Sequence, residues 1–366
     1  GGARTYNKIL PSIIQAKSPH IPYWNGSPYG GDDPNSAKIG NRHHWHDCMM
    51  NEDMKKRITP EEYDKVDPKF ISEYGYIGPC GLETTLKYLD GEPLDRQGEA
   101  WQHHNNTFEK DTVVAGIQKH YADLDDMEIE DYLFYAGLCQ GMMYEYSLDS
   151  FRSRLNNSGG LFWMYNDCWG EVGWTIIDYY LKRKISYSFV RRANAPRRLI
   201  LRERDGEVQV TVANDTPQAI SGTLEYGYMA FDGSEKELST VEFTVGPFAR
   251  RIIHSFSKGN KDLTLGCLMA RVRDHAEILP VVFRAGVFRD LHLVEPNLEV
   301  TDFTQKNEET VFTVKATAYA HAVHFNLPEG AKLSDEYFDL LPGEERMVRI
   351  KGMKIERNML KPTSVI

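Results

Sequence analysis

The periodicity of the chain changes near residue 193, and that change limits the fold more than any other feature. Before it, short apolar runs alternate with longer stretches whose apolar residues recur at three and four. The longest runs from Ile129 to Leu155, with Leu133, Phe134, Leu138, Met142, Met143 and Tyr146 on an amphipathic helical pattern. Tyr6 to Gln15 reads as the tail of another helix. Strand candidates are Ile21–Trp24 (short and buried), Ile39–Trp45, Phe70–Tyr74 and Leu161–Tyr165. Strands alternating with helices point to parallel α/β architecture.

Beyond the linker Asn194-Ala195-Pro196 the period becomes two. Val208, Val210 and Val212 alternate with Gln209, Thr211 and Ala213, and the turn Asn214-Asp215-Thr216-Pro217 follows. Thr223–Tyr228 and Val241–Val245 continue in the same way. The pattern restarts near Leu291 and runs through Val311–Val314 to Met347–Ile350. This is the signature of antiparallel sandwiches. We read two all-β modules, 194–287 and 288–366, after an α/β region of residues 1–193. Four strands are half of a (β/α)₈ barrel, which takes eight strands and ~250 residues. The first region is therefore either an open α/β sheet or the C-terminal half of a barrel.

Composition narrows the function. With 43 Lys and Arg against 53 Asp and Glu, the net charge of −10 disfavours a general nucleic-acid binder. No apolar run approaches the ~20 residues that span a bilayer, and Gly1–Tyr6 does not read as a signal peptide. Cys48, Cys80, Cys139, Cys168 and Cys267 are scattered and form no C-x-x-C pair, which leans toward free thiols and a reducing compartment. No phosphate loop, dinucleotide fingerprint or G-x-S-x-G elbow occurs.

Three segments carry candidate chemistry. Glu73 ends an apolar strand just before Gly75, the end of a barrel strand that bears catalytic groups; a helix-capping or salt-bridged role is the alternative. In Asn41–Cys48, His43 and Trp45 share one face of a strand, and His44 and His46 the other. An imidazole beside an indole suits a sugar, the ring stacking on the pyranose. The alternatives are a structural cluster, or a metal held by His44, His46 and Asp47 with His103 and His104. Gly159–Trp169 is an apolar strand ending in a polar, aromatic loop with Trp163, Asn166, Asp167 and Trp169. The tryptophans would also serve as ordinary core.

These segments resemble family 2 glycoside hydrolases, in particular the β-mannosidase branch. Tyr23–Gly31 is similar to Y-W-x-x-S-P-Y-G-G, and Gly40–Trp45 to G-D-x-H-x-W with Asn41 for the usual Asp. Phe70–Gly75 resembles F-x-S-E-[FY]-G, and Gly160–Trp169 resembles G-x-x-[FYW]-W-x-x-N-D-x-W. Leu333–Glu344 resembles S-D-N-[FY]-F-D-L-x-P-G-E with Glu336 for Asn. The resemblance implies strands 5–8 of the barrel followed by two immunoglobulin-like sandwiches. It implies Glu73 as nucleophile of a retaining exo-glycosidase, Trp24, His43, Trp45 and Trp163 around the −1 sugar, and Asn166, Asp167 and Trp169 at its floor or mouth. It implies a β-mannoside substrate and no metal or organic cofactor. The acid/base of the family ends strand 4 in an Asn-Glu dipeptide. The only such pair before Glu73, Asn51-Glu52, falls in a polar loop. The chain is thus expected to lack that group, to be inactive alone, and to associate with the missing half or with itself. A non-catalytic carbohydrate-binding or assembly module, and a β-glucosaminidase or β-galactosidase specificity, are the alternatives.

Overall fold

The structure, a computed structural model, describes residues 2–105, 110–328 and 330–365. In the first region a π-helical turn, Thr5–Ile9, runs into helix α1, Leu10–Lys17, and none of these residues is buried. Two short strands, β1 (Arg42–His43) and β2 (Ile71–Glu73), pair in parallel. On the other side of β2, Gly160 bridges Ile71 in parallel, and Trp163 N donates to Tyr74 O at 2.6 Å. Three parallel segments therefore lie side by side, with β2 in the centre.

Two expectations are corrected here. Ile21–Trp24 is neither strand nor core: Ile21 and Trp24 are exposed. An apolar tetrapeptide reads as a strand, but Asn25–Pro28 turns it away, and only Tyr29 bridges the sheet, through Asn41. Leu161–Tyr165 forms no regular strand either, since its pairing ends after Trp163.

Behind the parallel segments lie helices α2 (Lys110–His120), α3 (Ile129–Arg152) and α4 (Ile185–Ala193). Helix α3 carries Glu130 and Asp131 in its first turn and Arg152 in its last, charges that suit the helix dipole. Its buried stripe includes Leu133, Ala136, Gln140, Tyr144, Leu148 and Phe151. Gly137 and Gly141 let α4 approach. A methyl on either would meet Ile185 or Phe189, at 2.7 and 2.3 Å.

The remainder is two sandwiches. In the first, strands β3 (Arg197–Arg204), β4 (Glu207–Asn214) and β7 (Ala249–Phe256) face β5 (Ile220–Ala230), β6 (Lys236–Val245), β8 (Gly266–Val272) and β9 (Val281–Phe283), in orders β3-β4-β7 and β6-β5-β8-β9. Leu199 opposes Val212 and Leu201 opposes Val210, which buries the alternating valines. In the second, β10 (Glu299–Lys306), β11 (Glu309–Lys315), β13 (Lys332–Leu333) and β15 (Glu345–Lys351) face β12 (Ala320–Phe325), β14 (Phe338–Leu340) and β16 (Pro362–Val365). Strand β15 alternates buried and exposed along its length. The helical core extends to Phe231, Cys267, Phe288, Tyr319 and Leu341, so the three regions pack as one body. Arg198 on β3 forks onto Asp149 of α3 at 3.1 and 2.8 Å and fixes that joint.

Candidate active site

The ends of β1 and β2 bring three candidates together. Backbone pairing sets His43 opposite Glu73, and His44 N donates to Glu73 O at 2.8 Å. The Trp45 indole N–H donates to Glu73 Oε1 at 2.8 Å, and His43 Nε2 lies 3.6 Å from Oε2. The Glu73 side chain remains 30% exposed. One carboxylate oxygen is thus fixed by a buried donor while the group faces an opening. Gly75, two residues on, is what allows this. A methyl there would lie 2.5 Å from Trp163 O and 2.9 Å from the Trp45 ring.

A hydroxyl and amide chain supports His43. Its Nε2 is 3.1 Å from Ser27 Oγ, Ser27 Oγ bonds Ser72 Oγ at 2.8 Å, and Ser72 Oγ donates to Asn41 Oδ1 at 2.7 Å. Asn41 Nδ2 in turn donates to Gly26 O at 3.3 Å. An amide satisfies both ends of this chain, and the aspartate of the resembling motif could not supply the second bond. Sequence reading missed Ser27 and Ser72, although Ser72 directly precedes Glu73 in the strand.

Trp45 departs from its expected role as a stacking ring. It is 8% exposed and meets Trp174 edge-on at 4.9 Å, so it acts here as a hydrogen-bond donor. On the opposite face His44 is buried against Tyr63 and Phe151, with Nδ1 3.2 Å from Asp47. Burial pushes the Asp47 carboxyl up, but His44 and Arg42 outweigh it and hold the group at about 2. His46 points to solvent, and no group of three His, Cys, Asp or Glu able to hold a metal occurs among the described residues. The metal alternative is therefore not assembled.

The open aromatic faces lie elsewhere. Trp24, tilted at 35° against Tyr29 with centroids 4.8 Å apart, and Trp163 are each 47% exposed. The Trp163 carbonyl is tied back, 3.2 Å from the Tyr144 hydroxyl, which also donates to Trp174 O at 2.6 Å. Trp169 stacks on His104 at 4.4 Å, and His104 on Tyr88 at 4.7 Å; among the described residues the Trp169 ring meets His103 and His104 and not the Glu73 group. Asn166 bridges Ile177, and Asp167 N donates to Ile177 O, so both residues shape the loop. Asp167 is 6% exposed, and burial raises its carboxyl to about 6 despite the nearby Lys184 ammonium.

Residues 293–365 match the Ig_mannosidase family, an Ig-fold domain. The β-mannosidase B of Aspergillus fumigatus is 25% identical over 374 residues, covering 95% of this chain and 44% of that protein. The Aspergillus niger enzyme of the same name is 24% identical, with 97% and 44% covered. The crystal structure of a β-D-mannosidase from Dictyoglomus thermophilum superposes with a TM-score of 0.86 at 26% identity, over 99% of this chain and 45% of that one. An exo-chitosanase from Amycolatopsis orientalis shares the fold, with a TM-score of 0.59 at 19% identity over 82% of this chain and 42% of its own. The chain spans a little under half the length of the curated relatives it matches.

Proposed function

We propose, from the premise that the chain is a relative of the β-mannosidase branch of glycoside hydrolase family 2, that it carries the nucleophile half of a retaining exo-β-mannosidase site. The observation that carries this reading is the Glu73 carboxylate, held by the Trp45 indole, flanked by His43 and open on one side. Glu73 attacks the anomeric carbon as the glycosidic C–O bond breaks, and a second carboxyl group protonates the leaving oxygen. That group, ~5–5.5 Å away, then takes a proton from water, which releases the sugar from Glu73. Fixing Oε1 by the indole N–H leaves Oε2 to form the covalent bond. His43 is suited to a sugar hydroxyl, and Trp24 and Trp163 to the ring faces; Asn166, Asp167 and Trp169 form the floor and mouth.

The contacts of Glu73 among the described residues are an indole and an imidazole, with no carboxylate. We therefore assign the acid/base to residues outside this chain, and read the three parallel segments as part of a (β/α)₈ barrel that those residues complete. Tyr6, Ile9 and Ile13 on the amino-terminal helix, and Leu161 and Leu181 in the loops after α3, are exposed and supply the apolar surface for that contact. The test is hydrolysis of an aryl β-mannoside by the chain alone and after the missing barrel segment is supplied. The chain alone is expected to be silent, and the completed barrel active. Full turnover by the isolated chain would contradict the assignment. Gel filtration adds a second check: association is expected, and a monodisperse monomer opposes it.

A further inference from the structure

A cavity of about 480 Å³ lies away from Glu73, where the helical region meets both sandwiches. That size and an inter-module position are typical of small-ligand sites. Five nearly buried guanidinium groups line it: Arg192 on α4, Arg198 and Arg202 on β3, Arg284 after β9, and Arg346 on β15. Four are neutralised directly. Arg192 and Arg346 bond Asp335, Arg198 bonds Asp149, and Arg284 bonds Asp339, each at 2.8–2.9 Å.

The inner carboxylates are fully used. Asp339 accepts from His321, Tyr319, Arg284 and Ala322 N, and Asp149 is occupied by Arg198. Glu344 accepts from Leu341 N and Arg346. Two cations on the cavity wall are left over. Arg202 is 3.9 Å from Asp149; its hydrogen bonds go to the Leu201 and Tyr146 carbonyls, its plane lies over the Tyr146 ring, and its buried Nε has no partner. Lys119, at the end of α2, reaches only the Thr59 hydroxyl, at 2.5 Å. Burial pushes its ammonium below the usual lysine range, against the opposing pull of the Glu61 and Glu62 carboxylates. Glu145, on the same wall, is taken by Arg198 at 3.0 Å, and the other two acids that face it, Glu61 and Asp290, are exposed.

We propose that this joint binds a small oxyanion, of phosphate or carboxylate type, gripped by Arg202 of the first sandwich and Lys119 of the helical region. A buried N–H without an acceptor is costly, and a charged oxygen supplies both the acceptor and a closer countercharge than the carboxylates in place. The ligand would bridge two modules and so tighten their packing.

The test is calorimetric titration of the full chain with inorganic phosphate and, separately, citrate, at ionic strength held constant with sodium chloride. Saturable one-site binding of at least one anion is expected, weakened about tenfold or more by both Lys119→Gln and Arg202→Gln. Binding of phosphate but not citrate identifies a phosphorylated ligand, and the reverse a carboxylate. Should Arg202→Gln fail to fold, Lys119→Gln decides alone. Absence of saturable binding in the wild type, or undiminished affinity in a folded variant, overturns the proposal.

Discussion

The helical region and the sandwiches solve the same problem, satisfying a buried backbone, by different means. In the sandwiches the ladders do it: β5 pairs with β6 from Ile220–Val245 to Met229–Lys236 without a break in register. In the helical region the parallel strands are two or three residues long, and side chains of the helices behind them take over. Gln140 Nε2 lies 3.0–3.3 Å from the carbonyls of Tyr76, Gly173 and Thr175. Lys184 Nζ bonds Gly78 O and Gly173 O at 2.6 and 3.2 Å, and Tyr144 takes Trp174 O. Loops held this way can leave Trp24, Trp163 and Glu73 facing outward, which a closed ladder with a sealed core does not allow.

The contrast can be broken at several points. Glu73→Gln keeps an oxygen for the Trp45 N–H, so the completed enzyme should lose at least about 10³-fold in kcat with its melting temperature nearly unchanged. A matching fall in stability would show that Glu73 is structural. Phe312→Ala, in the centre of the second sandwich, should do the opposite and cost about 3–5 kcal/mol in urea unfolding, by opening a cavity in a fully buried core. Gln140→Leu should cost about 2–4 kcal/mol although it adds apolar surface, because loop carbonyls lose their donor. A neutral result there would deny the substitution of side chains for ladders.

A smaller effect separates the regions by pH. The folded Asp167 carboxyl titrates near 6 and the unfolded one near 4. The folded state then binds the extra proton, and stability falls as pH rises from about 4 to 6, by at most roughly 2–3 kcal/mol. Asp167→Asn should flatten that slope and leave the sandwich contribution intact. Last, thiol labelling under native conditions should modify Cys168 on the site loop and spare Cys48, Cys80, Cys139 and Cys267, which are buried.

The same division governed what could be read in advance. Helix α3 and strands such as Glu207–Asn214 and Glu345–Lys351 announce themselves, because burial repeats at the period of the backbone. Around Glu73 the signal fades. Ile21–Trp24 is apolar yet exposed, and Gln140, Lys184 and Tyr144 are polar yet buried, so hydropathy inverts the truth for both sets. The convergence of His43, Trp45 and Glu73 was legible from strand parity and motif. The indole's service as a donor was not, because it depends on Trp174 closing over the ring.

One measurement bears most directly on the account. The completed barrel proposed above is inactivated with a 2-fluoro-mannosyl fluoride, digested, and the labelled peptide sequenced. A covalent sugar on Glu73 is the predicted result. A label on any other side chain of an enzyme so inactivated would contradict the assignment of Glu73 as the nucleophile.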